Sequence, residues 1–197
     1  MNRQSFHAMQ VVKREEKETK MVQFVLGEIA EGRVSLSGDW CITALSMDSP
    51  VIKALRRVLH DLGNASDLRI NVVLTRPGKH VVSDCFASID SLNVRTSQNS
   101  RLLDAHEQLV LGDTSSWTGD CMRRDPRERD AFETFGGNNA ELADWSMKSF
   151  ERLWRNSRPL KVLARRFAKP ASEAAIDDVV AGDGAKSTMV VAATSRH

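Results

Sequence analysis

Residues 106–122 read HEQLVLGDTSSWTGDCM. A histidine is followed by Gln108, then by Asp113, and then across a Ser/Thr/Trp turn by Gly119 and Asp120. If 103–112 is a strand, His106 and Gln108 leave the same face, because side chains alternate with a period of two. Asp113 closes that strand, and a short turn returns Gly119 and Asp120 beside it. The polar groups could then converge at one rim of a sheet. Such a rim suits phosphoryl chemistry, in which a neutral histidine attacks phosphorus and forms a covalent phosphohistidine. By spacing alone, an ordinary hairpin ending in Gly-Asp accounts for the same residues.

The elements that must position this stretch lie on both sides of it. Val22, Val25, Leu26 and Ile29 form one helical stripe, ended by Gly32. Val34, Leu36 and Ile42 suggest a strand that Gly38 and Asp39 interrupt. Ser49-Pro50 reads as a helix start, with a capping hydroxyl and a proline in the first turn. Val51, Leu55, Val58, Leu59 and Leu62 then share one face, and Gly63 stops the helix. LRINVVLT is a mostly buried strand. Strand, helix and strand in this order make a βαβ unit and a parallel pair. Residues 81–92 have no clear period, and RTSQNS (95–100) reads as a loop.

Beyond the motif, Asp125-Pro126 reads as a helix start within RRDPRERDAFETF. A strong amphipathic helix follows, with Leu142, Ala143, Met147, Phe150, Leu153 and Trp154 in one broad stripe. Trp145 falls off that stripe, as an exposed or interface residue. The tail from Ala171 is small and polar, without helical periodicity, and reads as disordered. This divides the chain into an N-terminal helical segment (1–32), a domain (33–168) and a tail (169–197).

A formal net charge of +2 excludes a global field for nucleic acid or membrane, so any anion site must be local. The basic segment 155–169, with Arg155, Arg158, Lys161, Arg165, Arg166 and Lys169, is the one stretch suited to a nucleic acid or phosphate ligand. A plain exposed terminal helix is the commoner reading of such a segment, since aromatic interleaving is sparse there. Cys41, Cys85 and Cys121 are odd in number and widely spaced, which suits free thiols in a reducing compartment. Cys121 lies within the motif; it reads as an inert thiol or one activated by the adjacent arginines. No secretory signal and no membrane-length apolar run is visible, so a cytoplasmic protein is expected. His7, His60, His80 and His197 lack metal-ligand spacing, and GDG at 182–184 is too short for a phosphate loop. No cofactor and no metal is expected.

The 106–122 stretch resembles the phospholipase D superfamily motif. There, His-x-Lys is followed four residues later by Asp and then, across a turn, by Gly-Ser-x-Asn. His106, Asp113 and Gly119 match the histidine, aspartate and glycine. Gln108 stands in place of the lysine, Asp120 of the serine and Met122 of the asparagine, and the turn is one residue short. The SPVIKALRRVL helix before INVVL, and the FERLWRNSRP helix, are also similar to that superfamily, so the likeness spans about 34–160. It implies an α/β fold, a phospholipase D-like mixed β-sheet sandwiched between helices. It also implies a site completed by two motif copies, supplied by a homodimer because this chain has one. In such a site His106 is the nucleophile, Gln108, Arg123 and Arg124 contact phosphate, and Asp113 orients the histidine.

The substitutions act against that chemistry. Glutamine keeps a hydrogen-bond donor but loses the charge that holds phosphate oxygens. A unit charge about 4 Å away at an effective dielectric near 20 is worth on the order of 4 kcal/mol. An ionised Asp120 would set a carboxylate against the substrate's own charge. The expectation is a phospholipase D-like domain with a degenerate, inactive site that acts through ligand or partner binding. An active phosphodiesterase or nuclease using His106, and an accidental resemblance in an unrelated α/β protein, stay open as alternatives.

Overall fold

A computed structural model describes residues 6–63, 67–77, 91–97 and 105–160, with backbone alone for residues 6–8. The helices arise where apolar residues recur at three-to-four spacing. Helix α1 (Lys17–Ala30) buries Met21, Val22 and Val25, and the chain turns at Gly32 with φ 67°. Helix α2 (Pro50–Leu62) starts on its proline, buries Val51, Ile52, Ala54, Leu55, Val58 and Leu59, and ends at Gly63 with φ 73°. Helix α3 (Ala140–Arg155) is capped by Asn139, whose side chain accepts from the Leu142 N–H at 3.0 Å, and buries Ala143, Ser146, Phe150 and Leu153.

The strands are β1 (Phe6–Val12), β2 (Asp39–Ala44), β3 (Arg69–Leu74), β4 (Ser91–Thr96), β5 (His106–Leu111), β6 (Ser115–Cys121), β7 (Ala131–Gly137) and β8 (Arg158–Pro159). They form one mixed sheet in the order β1-β7-β6-β5-β2-β3-β4-β8. The βαβ unit is present: β2 and β3 are parallel, as are β3 and β4, and every other pair is antiparallel.

Alternation along the strands divides the core in two. Trp40, Ile42, Ile70, Val72, Leu109, Leu111, Trp117 and Phe135 pack with α1 and α2. Cys41, Val73 and Val110 pack with Phe150 and Leu153 of α3 on the other face. Each fully buried large aliphatic or aromatic side chain contributes roughly 1.5–3 kcal/mol. The fold is therefore α/β, with a mixed sheet between helices.

Four expectations are corrected. The first residues include a strand, β1, which joins the sheet beside β7 ahead of the expected helix. The segment after Val34 is turns until Asp39, although Val34 is buried in the core. Arg95 and Thr96 belong to β4, because their partners on β3 and β8 extend the ladder past the polar residues. No helix starts at Asp125-Pro126. Residues 125–130 are turn and bend, followed by β7, in which Glu133 is buried and Phe132 exposed. That inversion hid the strand from a reading by hydrophobic alternation. Residues 171–197 lie outside the described residues, as do Lys161–Lys169 of the basic segment, Cys85, His80 and His197.

Candidate functional site

Strand β5 lies next to β6 and β2 and carries His106 at its start. Its odd and even residues serve opposite faces of the sheet. His106 is exposed, and its Nδ1 donates to the Gly119 carbonyl at 2.7 Å. A carbonyl can only accept, so the proton sits on Nδ1 and the lone pair of the neutral ring is on Nε2. The partner carbonyl is brought within reach by a bulge. Between His106 and Gln108 the register slips, so His106 opposes Cys121 while Gln108 opposes Thr118. Gly119 itself is required by its neighbour, since a methyl there would lie 2.6 Å from Cη2 of Trp117.

Gln108 is buried on the α3 face, between Thr43 of β2 and Thr118 of β6 in the sheet register. Gln108 Oε1, Thr43 Oγ1, Thr118 Oγ1, Ser116 Oγ and Ser146 Oγ are all buried without a hydrogen-bond partner among the described residues. The position of the motif lysine is thus part of a neutral row of hydroxyls and an amide under α3. Cys41, on the same face, has its thiol pushed up to about 12 by burial and by Asp39, so it stays protonated.

The remaining motif positions separate. Asp113 is exposed in the β5–β6 turn, at the far end of β5 from His106, so it cannot orient the imidazole. At a rise of about 3.3 Å per residue the two are roughly 20 Å apart. Asp120 is at the His106 end. Its Oδ1 accepts from the Cys121 N–H at 2.7 Å, and Arg129 Nε lies 3.9 Å from its Oδ2. Arg123 and Arg124 are exposed beyond β6, where the Arg124 N–H closes a turn onto the Cys121 carbonyl at 3.2 Å. Met122 is buried, and its sulfur accepts from the Thr75 hydroxyl at 3.5 Å.

At the same rim, a cleft of about 310 Å³ opens where β2 and β3 end, lined by Leu45, Ser46, Met47, Asp48, Arg76, Asp125 and Arg127. Clefts beyond the carboxyl ends of parallel strands commonly take ligands. Of its two arginines, Arg127 is already engaged, 2.5 Å from Asp125 and 3.9 Å from Asp48. The Arg127 hydrogen bond holds the Asp125 carboxyl below its usual range.

The charged groups missed in the sequence are on the opposite face of the sheet. Glu107 is buried between His106 and Gln108 in sequence but faces α1 and α2, where it accepts from the Leu45 N–H at 3.0 Å. The Ser49 hydroxyl, expected to cap α2, bonds Glu107 and the Ser46 N–H instead. Lys17 Nζ lies 3.5 Å from Glu133 Oε1, long for a hydrogen bond, and Trp117 Nε1 donates to Glu133 Oε2 at 3.0 Å. Burial raises both carboxyls, Glu107 to about 7, with Lys17 opposing the shift. A further pair, Glu28 with Arg33, ties α1 to Ser115 of β6; burial lifts the Glu28 carboxyl, but the Arg33 and Ser115 hydrogen bonds outweigh it and lower it. A signal for Lys17 existed: it stands on the same stripe as Met21 and Val25.

No protein-family model and no curated protein matches the sequence. Solved structures do. The fold is phospholipase D-like. The chain is similar to the phospholipase D family member Nuc from Salmonella typhimurium, at 13% identity and a TM-score of 0.52, covering 79% of this chain and 99% of that one. It is also similar to TrmBL2, an archaeal chromatin protein with a novel mode of DNA binding, at 9% identity and a TM-score of 0.52, covering 81% of this chain and 56% of that one. NucT from Helicobacter pylori aligns at 4% identity and a TM-score of 0.49, over 80% of this chain and all of that one.

Proposed function

We propose that this is a cytoplasmic, homodimeric phospholipase D-like protein whose phosphodiesterase site has been lost and which acts by binding a ligand or partner. One observation carries the reading: the place of the motif lysine is a buried glutamine flanked by Thr43 and Thr118, all uncharged. A phosphodiester entering beside His106 would meet hydroxyls and an amide where phosphoryl transfer needs a cation. Asp120 adds negative charge at the same end, and its contact with Arg129 at 3.9 Å is partly exposed and worth at most about 1 kcal/mol. Arg155 and Arg158 of the basic segment are exposed, and the likeness to a DNA-binding chromatin protein makes nucleic acid the macromolecular partner to test first.

A second reading, an active phosphodiesterase or nuclease, draws on the pinned imidazole. Nδ1 is held by Gly119, which leaves Nε2 as the nucleophilic atom, and Arg123 or Arg124 would contact phosphate. It also needs a second His106 facing the first.

Hydrolysis of bis(4-nitrophenyl) phosphate separates the two. The first reading expects no turnover by the wild-type protein and no change in His106→Ala. Gln108→Lys with Asp120→Ser should tighten inorganic phosphate binding at least about tenfold in calorimetry, the equivalent of one restored charge contact. Turnover that disappears in His106→Ala establishes the enzyme instead. A salt titration of DNA binding tests the nucleic-acid partner, since affinity gained through phosphate contacts falls steeply with salt.

A further inference from the structure

At one end of the sheet, β1 is hydrogen-bonded on one side, to β7, and its other edge has no strand beside it among the described residues. Such an edge presents a row of backbone N–H and C=O groups to any strand that can reach it. The opposite end of the sheet is blunted: β8 is two residues long and includes Pro159. Strand β1 has seven residues, without proline and without Lys, Arg, Asp or Glu. Among the described residues, β1 has no proline, no charged side chain and no bulge in its register with β7 to discourage strand pairing.

The side chains add an apolar surface. Among the described residues, the exposed large hydrophobics are Met9 (66%), Val11 (54%), Phe132 (69%) and Trp145 (55%). They belong to one face. Val12 is buried in the core under α1, so Val11 and Met9 alternate to the α3 face, and Val11 pairs with Phe132 in the register. Leu142 of α3 lies over Gly136 of β7, where an added methyl would sit 2.4 Å from its Cδ2. Trp145, three residues on, shares that flank of the helix. Trp154, on the other flank, stacks on Arg95 of β4 with its ring centroid 4.8 Å away.

We propose that a second copy of this chain adds to β1, antiparallel and about a two-fold axis, so that the two sheets become one continuous sheet. Self-pairing suits this strand because an isologous antiparallel contact sets residue i of one copy against residue j of the other and j against i, and β1 holds no Lys, Arg, Asp or Glu to be set against a like charge. The four exposed side chains offer on the order of 500 Å² per copy, near the upper end for a monomer's largest patch. Doubled across the axis, this sets a ceiling of roughly 1,000 Å² on the side-chain area such a contact can bury, the low end for a specific interface.

The inference rests only on the dimeric part of the functional reading, and it specifies that dimer. Strand β5 lies three strands in from β1, so the two β5 strands are seven spacings apart, roughly 34 Å at about 4.8 Å per spacing. The two His106 rings therefore do not face each other. This dimer completes no shared catalytic cleft; it doubles whatever surface each copy presents.

Sedimentation equilibrium of the full chain tests the proposal. The wild-type protein should dimerise in the micromolar range. Met9→Lys and Val11→Lys, both at exposed positions, should each weaken association at least about 30-fold by placing like charges in a desolvating interface. With the axis at Met9, the central residue of β1, an equimolar mixture of Met9→Lys and Met9→Glu should dimerise again, because opposite charges then meet across it. Hydrogen exchange of the wild-type amides in residues 6–12 should slow as protein concentration rises, a readout independent of any variant's folding. A wild-type monomer overturns both this interface and the dimeric reading. A dimer that both lysine variants leave intact, or amides 6–12 whose exchange ignores concentration, overturns the β1 interface alone.

Discussion

The two faces of β5 differ in how their polar groups are satisfied. On the α3 face, Gln108 sits among hydroxyls that have no partner among the described residues, and no ionised group adjoins it in the sheet register. On the α1/α2 face, Glu107 has a backbone donor and the Ser49 hydroxyl, and Lys17, Glu133 and Trp117 form a linked buried set nearby. Lys17 puts a buried cation on the face opposite Gln108, while on Gln108's own face Arg95 lies three strands away and stacks on Trp154. One residue's step along a strand is enough to separate the two faces, because the side-chain period is two. The charged face holds helix α1 to the sheet through Lys17 and Glu133; the other face carries Gln108 at the position of the motif lysine.

Breaking the charged face should have the largest effect. Lys17→Met leaves Glu133 buried without its cation, and the expected loss is about 3–5 kcal/mol in urea unfolding, the usual cost of removing one partner of a buried pair. Replacing Glu133 by Gln in that background should recover part of it, since the uncompensated charge is gone.

A smaller effect sharpens the contrast through pH. The Glu107 carboxyl is raised to about 7 in the folded protein, from an ordinary value of 4.5. Below pH 4.5 both folded and unfolded chains bind this proton. Between there and pH 7 the unfolded chain releases it while the folded chain keeps it, so stability falls as pH rises, by up to about 1.4 kcal/mol per unit. Glu133, also raised, acts in the same direction. In Glu107→Gln, urea midpoints measured across this window should flatten. An unchanged slope would mean that Glu107 does not carry it.

The smallest change is expected on the neutral face. Thr118→Val removes a buried hydroxyl that has no partner among the described residues and keeps its shape, so thermal unfolding should shift by less than about 1 kcal/mol, towards stability. A loss of more than 2 kcal/mol would show the hydroxyl row to be satisfied and structurally required.

Particular residues show how far the fold was readable. Helix α2 starts and ends where Pro50 and Gly63 place it, because those residues act through local backbone geometry. The buried faces of α2 and α3 followed from helical periodicity for the same reason. Strand β7 was not readable: Glu133 occupies an inward position and Phe132 an outward one, and only Lys17 and Trp117, distant in sequence, make that inversion tolerable. For the candidate site, the pairing of His106 with the return strand was legible in the hairpin pattern. The bulge that brings the Gly119 carbonyl to Nδ1 was not, since a register slip depends on both strands at once.

Local chemistry determined the α/β alternation, the helix limits and the side of β5 on which His106 and Gln108 stand, since each depends on torsions and periods a few residues long. The tertiary structure decided that Asp113 is far from the histidine, that Lys17 meets Glu133 and that Met9, Val11 and Phe132 share an open edge. Those depend on which strands become neighbours, and that choice minimises the cost of burying every polar group in the domain together.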